Sequence, residues 1–515
     1  MNSSSSAHIR VRKQWLQRAV HFYYSSGLLW IIISVGTILR IVQYLMPRCL
    51  YYDEAGIALN IVNRSLTELF KPLDFNQAAP IGFLLIEKIA VLKFGNNEYA
   101  LRLFPLLCGI ISLFLFYKVA NHYLNLKAKP LALFLFALSN TLTYFSSETK
   151  QYGSDVAITL LLFTVIIYIH SKTLTAPRVF LFGIIGGMTI WVSHPSVFVL
   201  AGTGATLALF HLYRKDWKDL YRLSIVYIIW ALSLIVFYFI SIRALSQSDY
   251  FLGYFRRSFM PFPPRSLADL RWFMNTFLAI FQNPGGMTAT FSGIAALVFL
   301  VGCISLYSKN REKFFILISP ALIALIASGF RLYPFFERLL LFIVPSLMLL
   351  IAEGTIEIIN KAKQNLAIIG IGITVFLLLH PLMATASLLR ERTLDRAQNA
   401  EIRPIMGYIR ENRKDGDALY VHNYAVYAFK YYSERYGFNE KDYISGVWSR
   451  HVLGDVAEDL DKLRGRRRVW IVFSHTYWTN FGEIGRFALY YLERIGKKLD
   501  SFKSDGAEVY LYDLS

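Results

Sequence analysis

Two adjacent acidic residues stand out in the segment CLYYDEAGIALNIVNRSL at residues 49–66. Asp53 and Glu54 follow one strongly apolar segment and precede several more, and Tyr52 comes directly before them. A carboxylate at a membrane surface can act as a general base that deprotonates a hydroxyl or amine acceptor. The alternative is structural, because a carboxylate at the start of a helix caps free backbone N–H groups and interacts favourably with the helix dipole.

A second polar segment, SSETKQYGSD, lies between apolar runs at residues 146–155. Its candidate site residues are Glu148, Lys150, Gln151, Tyr152 and Asp155. Two acid-bearing loops on one face can converge on a site, where nearby cations hold a phosphate leaving group. The candidate cations are Lys88, Arg102, Arg331 and Arg338. Arginine suits phosphate because its guanidinium binds in a bidentate manner, although arginines at helix ends also extend towards water for structural reasons.

The composition indicates the elements that must position these residues. Of the 515 residues, 55% are hydrophobic and 16% aromatic, which is more apolar than a soluble enzyme. Repeated runs of about 17–20 apolar residues are long enough to cross a bilayer as helices and predict a polytopic α-helical membrane protein. The net charge of +19 is explained by basic cytoplasmic loops, so we expect membrane lipids and no nucleic acid as partners.

The number of crossings depends on residues 79–94, which contain Glu87, Lys88 and Lys93. Three charges in a lipid-facing helix would cost several kcal/mol, so we predict a helix at or partly sunk into the outer interface. About eleven spans remain, near 28–46, 101–119, 130–146, 156–171, 178–193, 196–212, 223–242, 289–307, 313–329, 335–353 and 366–386. This count places the N-terminus in the cytoplasm and the C-terminus outside.

The predicted organisation has three parts. They are a basic cytoplasmic N-terminus (1–27), a transmembrane catalytic part (28–386) with external loops at 47–100 and 243–288, and an extracytoplasmic domain (387–515). In the last part, strand-like runs alternate with helical patterns and predict a small α/β layer. His422 and His475 follow two of these strands, where open α/β sheets often bind ligands, and ordinary polar loop histidines are the alternative.

Five segments together resemble a known family: YYDEAGIALNI, QAAPIGFLLIEK, FGNNEYALRLFPLLCGI, SSETKQYGSDV and RLYPFFERLLLFIVP. They resemble GT-C fold glycosyltransferases, most closely the bacterial family 39-like group related to protein O-mannosyltransferases and lipid A aminoarabinose transferases. The resemblance covers roughly residues 28–350. It implies a membrane glycosyltransferase, hexosyl or pentosyl, whose donor is a sugar on a polyprenyl phosphate. The family and the short internal loops favour a bacterial inner membrane.

The resemblance also implies roles for residues. Asp53 would be the base and Glu54 its catalytic neighbour, and direct displacement would invert the anomeric centre on the extracytoplasmic face. The acceptor, a glycan, lipid or protein, stays open, because this chain departs from its relatives at Gln77 and Lys150. The predicted substrate-binding residues are Tyr52, Gln77, Lys88, Arg102, Glu148, Lys150, Gln151, Tyr152, Asp155, His194, Arg331 and Arg338. Metal dependence varies in the superfamily and no ligand set decides it here, so a divalent metal ion stays an open alternative.

Three other classes stay open at this point. A transporter or flippase for lipid-linked sugars would place its charges at mid-membrane on broken helices. An O-antigen-ligase-like transferase would use an external Arg/His constellation, for which His194 or the 243–288 loop is available. A structural scaffold would tolerate loss of the acids.

Overall fold

A computed structural model describes residues 23, 25–170, 174–361, 364–391, 400–446, 453–477 and 479–515. The predicted cytoplasmic N-terminus lies almost entirely outside these residues, as do residues 392–399 of the predicted C-terminal domain. The first seventeen helices of the described chain are α1 (Ser26–Leu45), α2 (Tyr52–Asn63), α3 (Ile81–Phe94), α4 (Glu98–Tyr123), α5 (Lys129–Ala137), α6 (Asn140–Phe145), α7 (Tyr152–His170), α8 (Ala176–Val192), α9 (Ser196–Tyr213), α10 (Trp217–Phe237), α11 (Arg243–Ser246), α12 (Asp249–Tyr254), α13 (Leu267–Gln282), α14 (Ala289–Lys309), α15 (Arg311–Gly329), α16 (Val344–Lys361) and α17 (Gln364–Glu391).

The long helices confirm the predicted polytopic membrane architecture. Within the described residues, nine helical segments are long and apolar enough to cross a membrane. Helix α8 is apolar but has only 17 residues, and the predicted span 130–146 consists of the two short helices α5 and α6. Helix α3 has 14 residues and would extend about 21 Å, which is less than a hydrocarbon core of about 30 Å.

Close backbone packing brings the helices of the apolar core together. Gly302 of α14 faces Leu350 of α16, and a Cβ at Gly302 would lie 1.9 Å from the Leu350 carbonyl oxygen. Small residues at such crossings let helix backbones approach in membrane proteins. The rings of Phe116 and Phe136 stack at 4.1 Å between α4 and α5, and both are fully buried. These contacts fix the helix ends that carry the polar loops.

The C-terminal residues form the predicted α/β layer. Its helices are α18 (Ile402–Asn412), α19 (Asn423–Tyr432), α20 (Leu453–Asp461) and α21 (Thr479–Ile495), and its strands are β1 (Ala418–Val421), β2 (Ile444–Ser445), β3 (Val469–Ser474), β4 (Lys497–Ser504) and β5 (Ala507–Asp513). The strand order is β2-β1-β3-β5-β4, in which β1 is parallel to β2 and β3, while β5 is antiparallel to β3 and β4. Strand β4 was not predicted, because its sequence KKLDSFKS is polar, as suits a sheet edge.

This layer packs directly on residues 47–100, the predicted first external loop. One buried apolar cluster joins Ile57 of α2 and Phe83 of α3 to Ile405, Phe429 and Trp470 of the C-terminal layer. All five side chains are fully buried. Helices α2 and α3 and the C-terminal layer therefore share one hydrophobic core. The residues after position 48 lead into α2 beside that layer.

Candidate active site

The first turn of α2 presents Asp53 to a distant arginine. The Asp53 carboxylate and the Arg338 guanidinium form an ion pair, and Arg338 is the last residue of the turn RLYPFFER. Their side chains are 25% and 32% exposed, so the pair is open to a ligand. Burial opposes ionisation of Asp53, but Arg338 and Lys150 outweigh it and lower the pKa of the carboxyl to about 2. Asp53 is therefore ionised at neutral pH.

Arg338 also contacts the second polar segment. Its guanidinium lies 5.4 Å from the centre of the Tyr152 ring, within the range of a cation–π interaction. Tyr152 in turn meets Phe145 edge to face at 5.3 Å, which fixes the plane of the tyrosine ring. The structure thus brings together three segments, around Asp53, Tyr152 and Arg338, that the sequence predicts to converge.

Lys150 is the second cation near Asp53. Burial lowers the pKa of its ammonium to about 8, while the Asp53 carboxylate acts in the opposite direction. Lys150 Nζ donates a hydrogen bond to Gln77 Oε1 at 2.8 Å. Gln77 packs against Gly56, where a Cβ would lie 2.9 Å from Gln77 Nε2, so a larger residue at position 56 would displace this amide. Gln77 therefore positions Lys150.

Glu54 has partners different from those of its neighbour Asp53. Arg102 donates to both Glu54 carboxylate oxygens at 3.0 and 2.8 Å, and the two side chains are 2% and 1% exposed. The backbone N–H of Thr149 donates to Glu54 at 2.8 Å, and that of Tyr51 does so at 3.0 Å. Glu54, and not Asp53, therefore accepts a hydrogen bond from the backbone N–H at the helix start. The same carboxylate also links the two polar loops.

Arg102 is likewise engaged within the protein. Besides Glu54, its guanidinium donates to the carbonyl oxygens of Arg48 and Cys49, each at 3.1 Å. This geometry argues against the predicted roles of Arg102 in phosphate binding and of Glu54 in proton transfer. A buried bidentate pair, with four of the five guanidinium N–H donors bonded within the protein, holds structure and cannot bind a ligand without being broken.

Glu148 lies behind this pair as a buried carboxyl group. Burial, and then the Glu54 carboxylate, raise its pKa to about 7, against the effect of a hydrogen bond with Tyr144. Arg48 stabilises the same loop, since its Nη2 donates to the Ser147 carbonyl oxygen at 2.8 Å. Glu148 is therefore placed to change its protonation state near neutral pH.

The remaining predicted residues lie at different distances from this centre. Gln151 Nε2 donates weakly to the Ala78 carbonyl oxygen at 3.4 Å, and Asp155 is buried one turn into α7. Lys88 Nζ donates to the Val62 carbonyl oxygen at 2.9 Å and so stabilises the last turn of α2. His194 is buried between α8 and α9, where burial lowers its pKa to about 4.

Arg331 begins the turn that ends at Arg338. Its side chain is exposed and its backbone is left-handed, with φ of 57°. Among the described residues, Arg338 and not Arg331 carries the ion pair with Asp53. Of the two arginines on this turn, only Arg338 is therefore placed beside the candidate base.

The C-terminal layer contributes residues that the sequence did not assign to the site. The Tyr52 N–H donates to His475 Nε2 at 3.2 Å, and the Tyr52 ring stacks on Tyr427 at 4.6 Å. The position of His475 after β3, at the carboxyl end of a parallel strand pair, was the available signal. The imidazole of His475, however, contacts the start of α2 and not a free ligand.

The described residues near Asp53 do not fit a divalent metal ion. Arg338 and Lys150 already surround the carboxylate, and two positive side chains would repel a cation. Elsewhere in the described chain, His211, Asp216 and Asp219 lie close enough to share a metal. Asp216 instead caps α10, and Asp219 pairs with Arg222 at 3.0 Å, so other partners account for these acids.

Solved structures with a similar fold cover nearly the whole chain. No protein-family model and no curated protein sequence matches it. The crystal structure of ArnT from Cupriavidus metallidurans in the apo state superposes with a TM-score of 0.56 at 12% identity, over 94% of this chain and 98% of that one. ArnT bound to undecaprenyl phosphate gives 0.54 at 12% identity, over 95% and 98%. An Archaeoglobus fulgidus oligosaccharyltransferase gives 0.49 at 12% identity, over 96% and 74%. The chain is thus an integral membrane protein with the GT-C fold, as the sequence resemblance implies.

Proposed function

We propose that this chain is a membrane glycosyltransferase that moves a sugar from a polyprenyl-phosphate donor to an acceptor on the extracytoplasmic face. The observation that carries the proposal is the accessible Asp53–Arg338 ion pair. It combines a candidate base with a candidate phosphate-binding group within a GT-C fold. The similarity in fold to ArnT, which has been crystallised with undecaprenyl phosphate, supports this donor class.

The proposed reaction is a single displacement with inversion. The acceptor oxygen or nitrogen attacks the anomeric carbon and forms the new glycosidic bond, while the bond from that carbon to the phosphate oxygen breaks. The electron pair of the broken bond leaves with the polyprenyl phosphate. The acceptor proton passes to the Asp53 carboxylate, which lies within the open part of the site.

Arg338 has two successive partners in this proposal. Without donor, it pairs with Asp53 and holds the pKa of that carboxyl near 2, which makes Asp53 a weak base. A bound phosphate takes over the guanidinium, because two charge-assisted hydrogen bonds to phosphate replace the contact with Asp53. Asp53 then loses part of its stabilisation, and its basicity rises only when donor is present.

Lys150 and the buried Glu54–Arg102 pair have supporting roles. Lys150 stabilises the negative charge that develops on the phosphate, and Gln77 holds its ammonium in place. Glu54 and Arg102 are positioning residues that fix the two polar loops relative to each other. Glu148, Tyr152 and Tyr52 border the same region and are proposed to orient donor sugar or acceptor.

The test begins with the lipid that purifies with the protein, identified by native mass spectrometry. Proteoliposomes are then supplied with a panel of undecaprenyl-phosphate-linked hexoses and pentoses and a bacterial envelope extract as acceptor. Release of free undecaprenyl phosphate reports transfer for every acceptor. We expect release with at least one donor, and release at least about a hundredfold slower with Asp53→Asn.

The same assay separates the alternative classes. A flippase moves the lipid across the bilayer but leaves the sugar–phosphate bond intact, so no undecaprenyl phosphate would appear. A scaffold would show neither transport nor release. Release of undecaprenyl diphosphate in place of monophosphate would indicate a transferase with a diphosphate-linked donor and would reject the proposed donor class.

A further inference from the structure

The helix that carries Asp53 uses Glu54 to cap its own start, since Glu54 accepts from the Tyr51 N–H at 3.0 Å. Helix α2 has Tyr51 at the N-cap position, where Ser, Thr, Asp or Asn would normally supply a side-chain acceptor. The first N–H groups of any helix have no partner within it and need one from elsewhere. The acceptors for this helix start therefore decide how firmly Asp53 is placed.

Four consecutive backbone N–H groups leading into α2 each have a side-chain acceptor. Glu401 accepts from Cys49 at 2.8 Å, Tyr432 from Leu50 at 3.0 Å, Glu54 from Tyr51 at 3.0 Å and His475 from Tyr52 at 3.2 Å. Three of these acceptors belong to the C-terminal layer, more than 350 positions along the chain. The layer thus holds the segment that leads into α2, and His475 accepts from Tyr52, the first residue of the helix.

His475 accepts from the residue that directly precedes Asp53. It directly follows β3, has a left-handed backbone with φ of 63°, and its side chain is fully buried. A non-glycine residue in this conformation is held there by its surroundings, here by packing under the first turn of α2. Its ring meets Tyr51 edge to face at 4.5 Å and Tyr52 at 6.0 Å.

The protonation state of His475 agrees with its use as an acceptor. Burial lowers the pKa of the imidazole to about 3, although the Asp53 carboxylate acts in the opposite direction. The ring is therefore neutral at physiological pH. A neutral imidazole has one nitrogen that accepts, and Nε2 accepts from the Tyr52 N–H.

We propose that His475 is a positioning residue for the transfer reaction, and that the C-terminal layer completes the active site by fixing the first turn of α2. This inference rests on the proposed function, because it concerns the orientation of the proposed base. Misplacement of a catalytic group by about 1 Å can reduce a rate by about a hundredfold, so a contact one residue from Asp53 suffices to affect catalysis.

The experiment uses the full-length protein in nanodiscs and compares three variants. His475→Ala removes the acceptor, whereas His475→Gln offers an amide oxygen that can replace it. His422→Ala is the matched control, since His422 is also buried directly after a parallel strand and its ring contacts Phe473. The measurements are hydrogen–deuterium exchange of residues 50–56, kcat for undecaprenyl phosphate release, and Kd for undecaprenyl phosphate.

We expect His475→Ala to lose exchange protection at residues 50–56 and about tenfold in kcat, with Kd changed less than about twofold. His475→Gln should recover part of both losses, and His422→Ala should keep protection and kcat. Wild-type protection and kcat in His475→Ala would overturn the proposal, as would an equal loss of kcat in His422→Ala. If the wild-type protein releases no undecaprenyl phosphate, the proposed function fails, whereas unchanged exchange in His475→Ala rejects the positioning role by itself.

Discussion

Asp53 and Arg338 lie 285 positions apart in the chain and form an ion pair that is open to ligands. The adjacent acid, Glu54, is 1% exposed and fully engaged with Arg102 and two backbone N–H groups. Two neighbouring carboxylates thus have different environments. In the proposed reaction the partly exposed pair exchanges partners, whereas the buried pair cannot do so without destabilising the fold.

Asp53→Asn should separate chemistry from donor binding. The amide keeps the shape of the side chain but cannot accept a proton as a base, so transfer should fall by about 10²–10⁴-fold. Arg338 would no longer be paired with a carboxylate, so binding of undecaprenyl phosphate should be kept or become tighter. Rates of undecaprenyl phosphate release and equilibrium binding of the same lipid check both parts. Weaker binding in this variant would contradict the exchange of partners.

Arg338→Ala should weaken undecaprenyl phosphate binding by at least about tenfold, because a charge-assisted contact contributes roughly 1.5–3 kcal/mol. Arg331→Ala is the matched control on the same turn, since that side chain is exposed. Its Kd should stay within about twofold of the wild type, measured with the same lipid in nanodiscs. Equal losses in the two variants would indicate a general charge effect and reject a specific role for Arg338.

Glu54→Gln should act mainly on stability. The change leaves Arg102 buried without a full counter-charge and weakens the bonds to Tyr51 and Thr149, which predicts a loss of about 3–5 kcal/mol. Thermal unfolding in detergent measures it. The control is Glu68→Gln, an exposed acid on the same loop, which should cost under about 1 kcal/mol. A catalytic defect in Glu54→Gln without loss of stability would restore the predicted catalytic role.

Glu148 should make stability depend on pH. Its pKa in the folded protein is raised to about 7, above the usual value of about 4.3 expected in the unfolded chain. The folded state then binds the proton more tightly, so this contribution is fully present below about pH 4 and is lost as pH rises through 7. The wild-type Tm should fall by about 3 °C more than that of Glu148→Gln between pH 5 and pH 8. Parallel Tm curves for the two proteins would show that Glu148 is ionised throughout.

The interpretation of the first external loop was partly correct at sequence level. The juxtamembrane helices and their place between apolar spans follow from hydrophobic periodicity and charge. The structural alternative, in which Asp53 caps α2, does not describe the structure, because the carboxylate faces Arg338 and Glu54 reaches back to the Tyr51 N–H. Adjacent side chains on a helix point in different directions, and only their surroundings decide which one is capping.

The predicted cations illustrate the same limit. Arg102 and Arg338 look alike in the sequence, since each stands near the external end of an apolar run. Arg102 is 2% exposed and donates hydrogen bonds to Glu54 and to two backbone carbonyl groups. Arg338, in contrast, is 32% exposed and lies beside Asp53. Composition and spacing do not reveal how many N–H donors of an arginine already form hydrogen bonds within the protein.

By itself, the sequence determined the membrane architecture, the α/β character of the C-terminal residues and the loops that contain the site. These properties depend on hydrophobicity and periodicity over neighbouring residues, which local sequence encodes. Only the tertiary structure decided which carboxylate is accessible, which arginine faces it, and that His475 holds the start of α2. Such contacts join residues hundreds of positions apart, and burial in one shared core, rather than local pattern, determines them.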